Sequence, residues 1–484
     1  MSTLIAYPGE FIKAEFYFKR DIIFLDEAGW WVYDEVKNVR ILSVVGFSKQ
    51  SYLSSISPNG IRDMINWWSP IWTRWVSGSF KYELYRIKSI EIVDSIYNDL
   101  ISLDIQCAVL CTAVPHHIDS SLLQISLAKL NLPQVFLYSN VIDGRLIPLV
   151  QYDSIFNREV LVSEVSEFKY EKSLDLFVEN KKAGNSPLVN TNVSGLKKSY
   201  LFSILFIFII FFKNLVFRYL FYAKLDKRWA SFFKEINFFE SICLMRIQRK
   251  YLKTYILNKL SYNESSNFIK SEGIKLIIAA HYQPEATSFP EGGNFSNHIE
   301  ILMKIRSLGH TGIIGYKEHP ATWMYIDKII GSTRVGIYRS KEYFQQLLKL
   351  GCIILDENFP LPLTGAQANN YLPITISGSI AIERSLMGFH TIVAGEPWFK
   401  GIPGVISLND ICSLNDIPDT WLRHSNLIEN EARTFLLSKM NYSTITNILG
   451  VGSGVYIDDP EKVKAFRAEF VNLLKVVKNL SVNR

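Results

Sequence analysis

The chain has 484 residues, too many for one ordinary core, so two large domains or more are expected. Hydrophobic residues at 48% and charged residues at 20% exclude an intrinsically disordered chain. A net charge of +6 with a pI near 8.8 favours anionic partners such as a nucleotide, a phosphorylated sugar or an anionic membrane. That excess is too weak to imply nucleic acid, and no zinc-finger or basic-zipper spacing is present.

Residues 1 to about 160 alternate apolar runs with helical stretches. "VRILSVVGF" (39–47) reads as a strand, "KYELYRIKSIEIVDSIYNDLI" (81–101) as a helix and "IQCAVLCTAVP" (105–115) as a buried strand closed by proline. A helix over 120–132, capped by Asp119 or Ser120, and a strand over 133–139 follow. This β-α-β alternation predicts a parallel sheet covered on both faces. The five cysteines are odd in number and sparse, which argues against a disulfide framework. Cys107 and Cys111 read as buried thiols, because no second pair follows to complete a metal set. The N-terminus lacks the basic start and long apolar core of a secretory signal, so a reduced, cytoplasmic protein is expected.

Residues 161–271 read as a linker and a hydrophobic, basic insert. "ENKKAGNSPLVNTNVSG" (179–195) reads as a connector. In "KKSYLFSILFIFIIFFKNLVFRYLFYAKLDKR" (197–228) the uncharged core runs only from Tyr200 to Phe212, short of the roughly 20 residues a bilayer span needs. Lysines and arginines flank and interrupt it, a mixture that suits a helix lying on an anionic membrane face. A buried hairpin and a true span are the alternatives.

A second alternating series occupies 272–425. Strands are expected at 274–280, 311–316, 352–356, 373–377 and 390–395. Helices are expected at 294–309, with Ile299, Leu302, Met303 and Ile305 on one side, at 338–351 and at 379–388, each stopped by glycine. Residues 426–484 read as a charged helical tail that packs back across the first domain. The fold class expected is α/β, with two doubly wound domains, a hydrophobic helical insert and the helical tail.

In open α/β sheets ligands bind outside the carboxyl ends of the strands. Three such ends carry unusual polar residues: "HYQPEATSFPEGG" (281–293), "KEHP" (317–320) and "SGSIAIE" (377–383). Ser377, Gly378 and Ser379 form a small turn whose free backbone N–H groups and helix start suit an anion. Glu383, one turn along, suits a ribose diol. His319, held by Pro320, can donate to a phosphate oxygen, and Lys317 adds a compact positive charge. Each piece alone has a bland reading, as a cap, a solvated glutamate or a loop His-Pro; the pocket is argued from their joint position. Glu285 sits on the loop after the first of these strands and is the candidate catalytic carboxylate. In "PHHIDSS" (115–121) His116 and Asp119 are a candidate base and its orienting acid on the acceptor side. No third metal ligand accompanies them. P-loop, GxGxxG and GxSxG patterns are absent, which weakens ATPase, dehydrogenase and serine-hydrolase readings.

"HYQPEAT", then "YKEHP", then "TISGSIAIERSLMGFHTIVAGEPWF" resemble, in order and spacing, the capsule polysaccharide biosynthesis family of bacterial glycosyltransferases. "AVPHHIDSSLLQISLAKLNLP" resembles that family's first domain more weakly. The resemblance implies a GT-B-like pair of Rossmann-type domains facing a cleft, needing no metal or other cofactor. It implies a nucleotide-sugar donor, chiefly CMP-linked acidic sugars, and a lipid-linked saccharide acceptor. His319 and Ser377–Ser379 would then hold the CMP phosphate, and Glu383 the ribose. The family often has glycine and alanine where this chain has Ala381 and Arg384. Teichoic-acid-type polyol-phosphate transferases also pair Lys-x-His-Pro with a serine-rich turn and use CDP-linked donors. A non-catalytic assembly or export component would keep the fold alone.

Overall fold

The structure is a computed structural model. It describes residues 2–6, 30–33, 40–42, positions within 89–101, 105–110, 118–151, 158–162, 170–183, four positions between 205 and 212, most of 238–447 apart chiefly from 284–290 and 325–337, and 459–482. The chain forms two units. The first comprises 1–72, 78–174 and 437–484, and the second comprises 73–77 and 175–436.

The first unit is built on a seven-stranded sheet. Its strands are β1 (Ser2–Ala6), β2 (Trp30–Tyr33), β3 (Arg40–Leu42), β4 (Ile105–Leu110), β5 (Gln134–Ser139), β6 (Leu146–Gln151) and β7 (Arg158–Val160), in the order β3-β2-β1-β4-β5-β6-β7. The expected parallel sheet is corrected to a mixed one. Only β1–β4 and β4–β5 run parallel, while both flanks are antiparallel. The physical reason is visible between β5 and β6. Asn140 Oδ1 accepts from the amides of Ile142 and Asp143, and Gly144 takes φ 73°, closing a turn too short to hold a crossover helix.

The helix expected at 120–132 runs Ile118–Lys129, so Asp119 and Ser120 lie inside its first turn and not ahead of it. The described positions between 89 and 101 are helical, with Val93, Ile96 and Leu100 buried at helical spacing. Of the strand expected at 39–47, β3 covers 40–42 and the rest lies outside the described residues. Cys107 is buried, and loss of water pushes its thiol up to about 12; Cys111 lies outside the described residues. The tail does return to this unit. The helix Pro460–Val482 buries Phe466, Phe470, Leu473 and Val477 and packs against β4. Arg145 reaches across to Glu469 at 2.8 Å, and Ile445 bridges to Leu146.

The second unit carries six strands: β8 (Lys275–Ala279), β9 (Ile314–Lys317), β10 (Cys352–Leu355), β11 (Tyr371–Thr375), β12 (Thr391–Val393) and β13 (Val405–Ser407). Their order is β10-β9-β8-β11-β12-β13, and every pair is parallel. Counted in chain order this is 3-2-1-4-5-6, the doubly wound arrangement. Alternate side chains enter opposite layers. Leu276 and Ile278 of β8, Tyr316 of β9, Ile354 of β10 and Leu372 and Ile374 of β11 join one core. The helices Phe238–Asn258, His298–Ser307 and Lys341–Lys349 cover that face through Tyr255, Ile301, Leu302, Ile305, Phe344 and Leu347. Ile277, Leu355 and Tyr371 enter the other layer with Ile269 of the helix Tyr262–Lys270.

The helix expected over 294–309 starts only at His298, because Asn297 caps it and a 3-10 turn precedes it. Its buried face is therefore His298, Ile301, Leu302 and Ile305, while Met303 is 57% exposed. Gly388 ends the chain's turn after the helix Ile380–Ser385 at φ 77°, and a Cβ there would lie 2.7 Å from the Ser425 carbonyl oxygen. Only glycine fits such a close backbone approach at positive φ. Gly388→Ala is expected to lower stability by about 1–3 kcal/mol, read as a drop in thermal midpoint. An unchanged midpoint would contradict this packing.

Candidate functional site

The sheet of the second unit has one point where the strand order reverses. From β8 the chain winds outward through β9 to β10, and from β11 it winds the other way through β12 to β13. A crevice for ligands opens beyond the carboxyl ends of the strands flanking such a point, here β8 and β11. The chain leaving β8 arrives at His281. The chain leaving β11 arrives at Ser377 and Gly378, just past Thr375.

A buried guanidinium ties these ends together. Arg339 is fully enclosed, and its Nε donates to Glu318 Oε2 at 2.5 Å while Nη2 reaches Glu318 Oε1 at 3.2 Å. Nη1 donates to Gln283 Oε1 at 2.8 Å, and Nη2 also donates to the His281 carbonyl at 2.7 Å. One side chain thus joins the end of β8 to the end of β9. Glu318, equally enclosed, accepts from the His319 amide and the Thr322 hydroxyl at 3.0 Å each. A buried ion pair is tolerated only when its remaining hydrogen-bonding capacity is met, as it is here.

The network continues in one direction. The His281 amide donates to His298 Nε2 at 3.0 Å, so that nitrogen carries no proton. The proton sits on Nδ1, 3.3 Å from the Tyr343 hydroxyl. Tyr343 donates to Tyr316 at 3.2 Å, and Tyr316 donates to Glu318 Oε2 at 3.0 Å. Burial, reinforced by Arg339 and His281, holds His298 well below the usual imidazole range, so it is neutral. On the other side, His281 Nε2 accepts the Ser377 amide at 3.3 Å and lies 3.0 Å from the Thr375 hydroxyl. Thr375 Oγ1 in turn accepts the Gly378 amide at 3.2 Å. A Cβ on Gly378 would stand 2.6 Å from Thr375 Oγ1, which is why this position is glycine.

These bonds correct one expectation. The amides of Ser377 and Gly378 are engaged inside the turn, and the helix that follows, Ile380–Ser385, has only six residues. The polarity that this turn presents lies instead at Ser379 and Glu383. Ser379 Oγ donates to Glu383 Oε1 at 3.1 Å, and Lys181 Nζ donates to the same oxygen at 2.7 Å. Lys181 closes the helix Glu171–Lys182, so residues 179–182, read as connector, are helical. Arg384, one of the two positions that depart from the family's pattern, is fully buried. It donates to the carbonyls of His390, Ala368 and Tyr371 and lies over the Tyr371 and Phe389 rings.

The remaining candidates divide. His319 and Pro320 are half-buried and follow Glu318 directly, so the buried network fixes their backbone. Lys317 points to the β10 side, where Nζ donates to the Glu357 carbonyl at 3.1 Å. Burial brings its ammonium down to about 8, against the pull of Glu357, Asp356 and Glu318. Asp119 lies in the first turn of Ile118–Lys129 in the first unit. His116 and Glu285 lie outside the described residues. Sequence reasoning did not single out Glu318, Arg339, His281, His298, Thr375 or Lys181. The one local signal was alternation on β9, where Ile314, Tyr316 and Glu318 share a buried face.

The fold and site define an α/β protein whose second unit is doubly wound, with a buried polar network at the switch point of its sheet. Compared with protein-family models, curated proteins and solved structures, the chain finds no match.

Because His298 is neutral when folded and free to protonate when unfolded, the unfolded chain binds more protons below the ordinary value of 6.5. Stability is therefore fully present above that pH and falls on acidification. His298→Asn is expected to flatten this slope between pH 7.5 and 5, measured by thermal midpoints followed by circular dichroism. Identical slopes in both proteins would contradict the neutral, buried imidazole.

Proposed function

We propose that the chain is a glycosyltransferase that takes a sugar from a nucleotide donor and passes it to a lipid-linked acceptor in capsule or lipopolysaccharide synthesis. A CMP-linked acidic sugar is the favoured donor. One observation carries the reading. Two of the segments that bear the family resemblance, around His319 and around Ser377–Glu383, follow β9 and β11, beside the switch point of a 3-2-1-4-5-6 sheet. The organisation proposed is of the GT-B type, with 272–425 as the nucleotide-binding part and 1–160 as the acceptor side.

In this reading Glu383 accepts from the ribose hydroxyls. Its Oε1 is shared by Ser379 and Lys181, so nucleotide entry would redistribute that pairing. Lys181, the cation beside Ser379, would then face the donor phosphate. Transfer breaks the bond between the anomeric carbon and the phosphate oxygen, and negative charge gathers on the departing CMP. Lys181 and a protonated His319 are the groups suited to stabilise that charge. The acceptor hydroxyl must lose a proton, for which Glu285, His116 and Asp119 remain the candidates.

A thermal-shift series with CMP, CDP, UDP, GDP and ADP tests the proposal, since a ligand at concentration [L] stabilises by RT ln(1 + [L]/Kd). Cytidine nucleotides are expected to raise the midpoint most. In calorimetry His319→Ala and Glu383→Ala should each weaken CMP binding by about tenfold, the worth of one charge-assisted hydrogen bond, with circular dichroism unchanged. No stabilisation by any nucleotide at millimolar concentration, or unaltered affinity in both variants, would remove the reading.

A further inference from the structure

Four positions of the hydrophobic insert are described, and all four are helical and exposed. Leu205, Phe208, Ile209 and Phe212 show 51–57% of their surface to solvent. Their spacing, i, i+3, i+4 and i+7, sets them on one face within an arc of about 100°. The Phe208 and Phe212 rings stack along it at 6.4 Å. A row of large apolar side chains left facing water marks an interaction surface.

We propose that this face is a membrane-docking surface that enters the interfacial layer of an anionic bilayer, with the helix lying along the membrane. Charge decides between a bilayer and other occupants. Between 197 and 228 seven lysines and arginines stand against Asp226 alone. Such a segment repels a second copy of itself and is drawn to anionic lipid. Spanning is disfavoured as well: the uncharged run of the insert ends at Phe212, short of the roughly 20 residues a bilayer span needs, and Lys213 follows directly. Bulky Phe and Leu on one side with basic flanks are the composition of an interfacial helix. The inference concerns the insert alone and stands whether or not the nucleotide site is what it is proposed to be.

The test is co-sedimentation of the full chain with phosphatidylcholine vesicles, with and without 30% phosphatidylserine. The full chain is expected to pellet with the anionic vesicles, to be released by 0.5 M NaCl in part and by alkaline carbonate fully, and to remain mostly in solution with neutral ones. Phe208→Ser/Phe212→Ser should lower the bound fraction at least tenfold at an unchanged thermal midpoint, since both residues are exposed. Lys197→Gln/Lys198→Gln should weaken binding to anionic vesicles selectively. Absence of binding to either vesicle, or binding indifferent to the phenylalanine substitutions, overturns the proposal. Resistance to carbonate would mean a span, and a dimer in light scattering that the same substitutions disperse would mean a second copy; either result overturns it too.

Discussion

Everything at the switch point depends on one buried ion pair. Arg339 and Glu318 are both fully enclosed, and their fork-like contact is made below the carboxyl ends of β8 and β9. Breaking such a pair by removing one partner costs about 3–5 kcal/mol, against about 1 kcal/mol for an ordinary hydrogen bond. The pair therefore governs the geometry of the loops it touches. Through the His281 carbonyl and Gln283 it holds the segment after β8, and through the His319 amide and Thr322 it holds the segment after β9. Through the backbone of His281 it also sets the ring that receives Ser377 and orders the turn after β11.

A network this complete has a consequence for binding. Its own amides and hydroxyls are occupied, so ligand chemistry is left to the groups at its margin. Lys181, Ser379 and Glu383 form one such margin, joined at a single carboxylate oxygen. His319 forms another, with its backbone fixed and its ring carried on the stiff corner made by Pro320. Loops positioned by a rigid, saturated interior are the usual carriers of function in a doubly wound sheet.

The second sheet was largely readable from the chain itself. β8, β9, β10, β11 and β12 are apolar runs bounded by glycine, proline or polar turns, and parallel strands buried on both faces must look so. β13 was not readable, because Val405–Ser407 is too short for any periodicity. The first sheet reads as parallel in the sequence, because the antiparallel pairing of β5 with β6 is set by a tight turn at Asn140–Arg145 that mimics an ordinary loop. At the site, "KEHP" offers Lys317 and His319 as its working residues. The residue between them is the buried one, since Glu318 continues the inward face of Ile314 and Tyr316. Its partner Arg339 lies 21 positions away, and no local pattern announces a pair at that separation.

The central claim is that the Arg339–Glu318 pair holds three strand ends in one arrangement. Native-state amide hydrogen exchange on Arg339→Lys tests it most directly, since lysine keeps the charge but loses the fork. Protection should fall together at the amides of His281, His319, Ser377 and Gly378. Loss confined to His319, with the β11 turn as protected as before, would contradict the account.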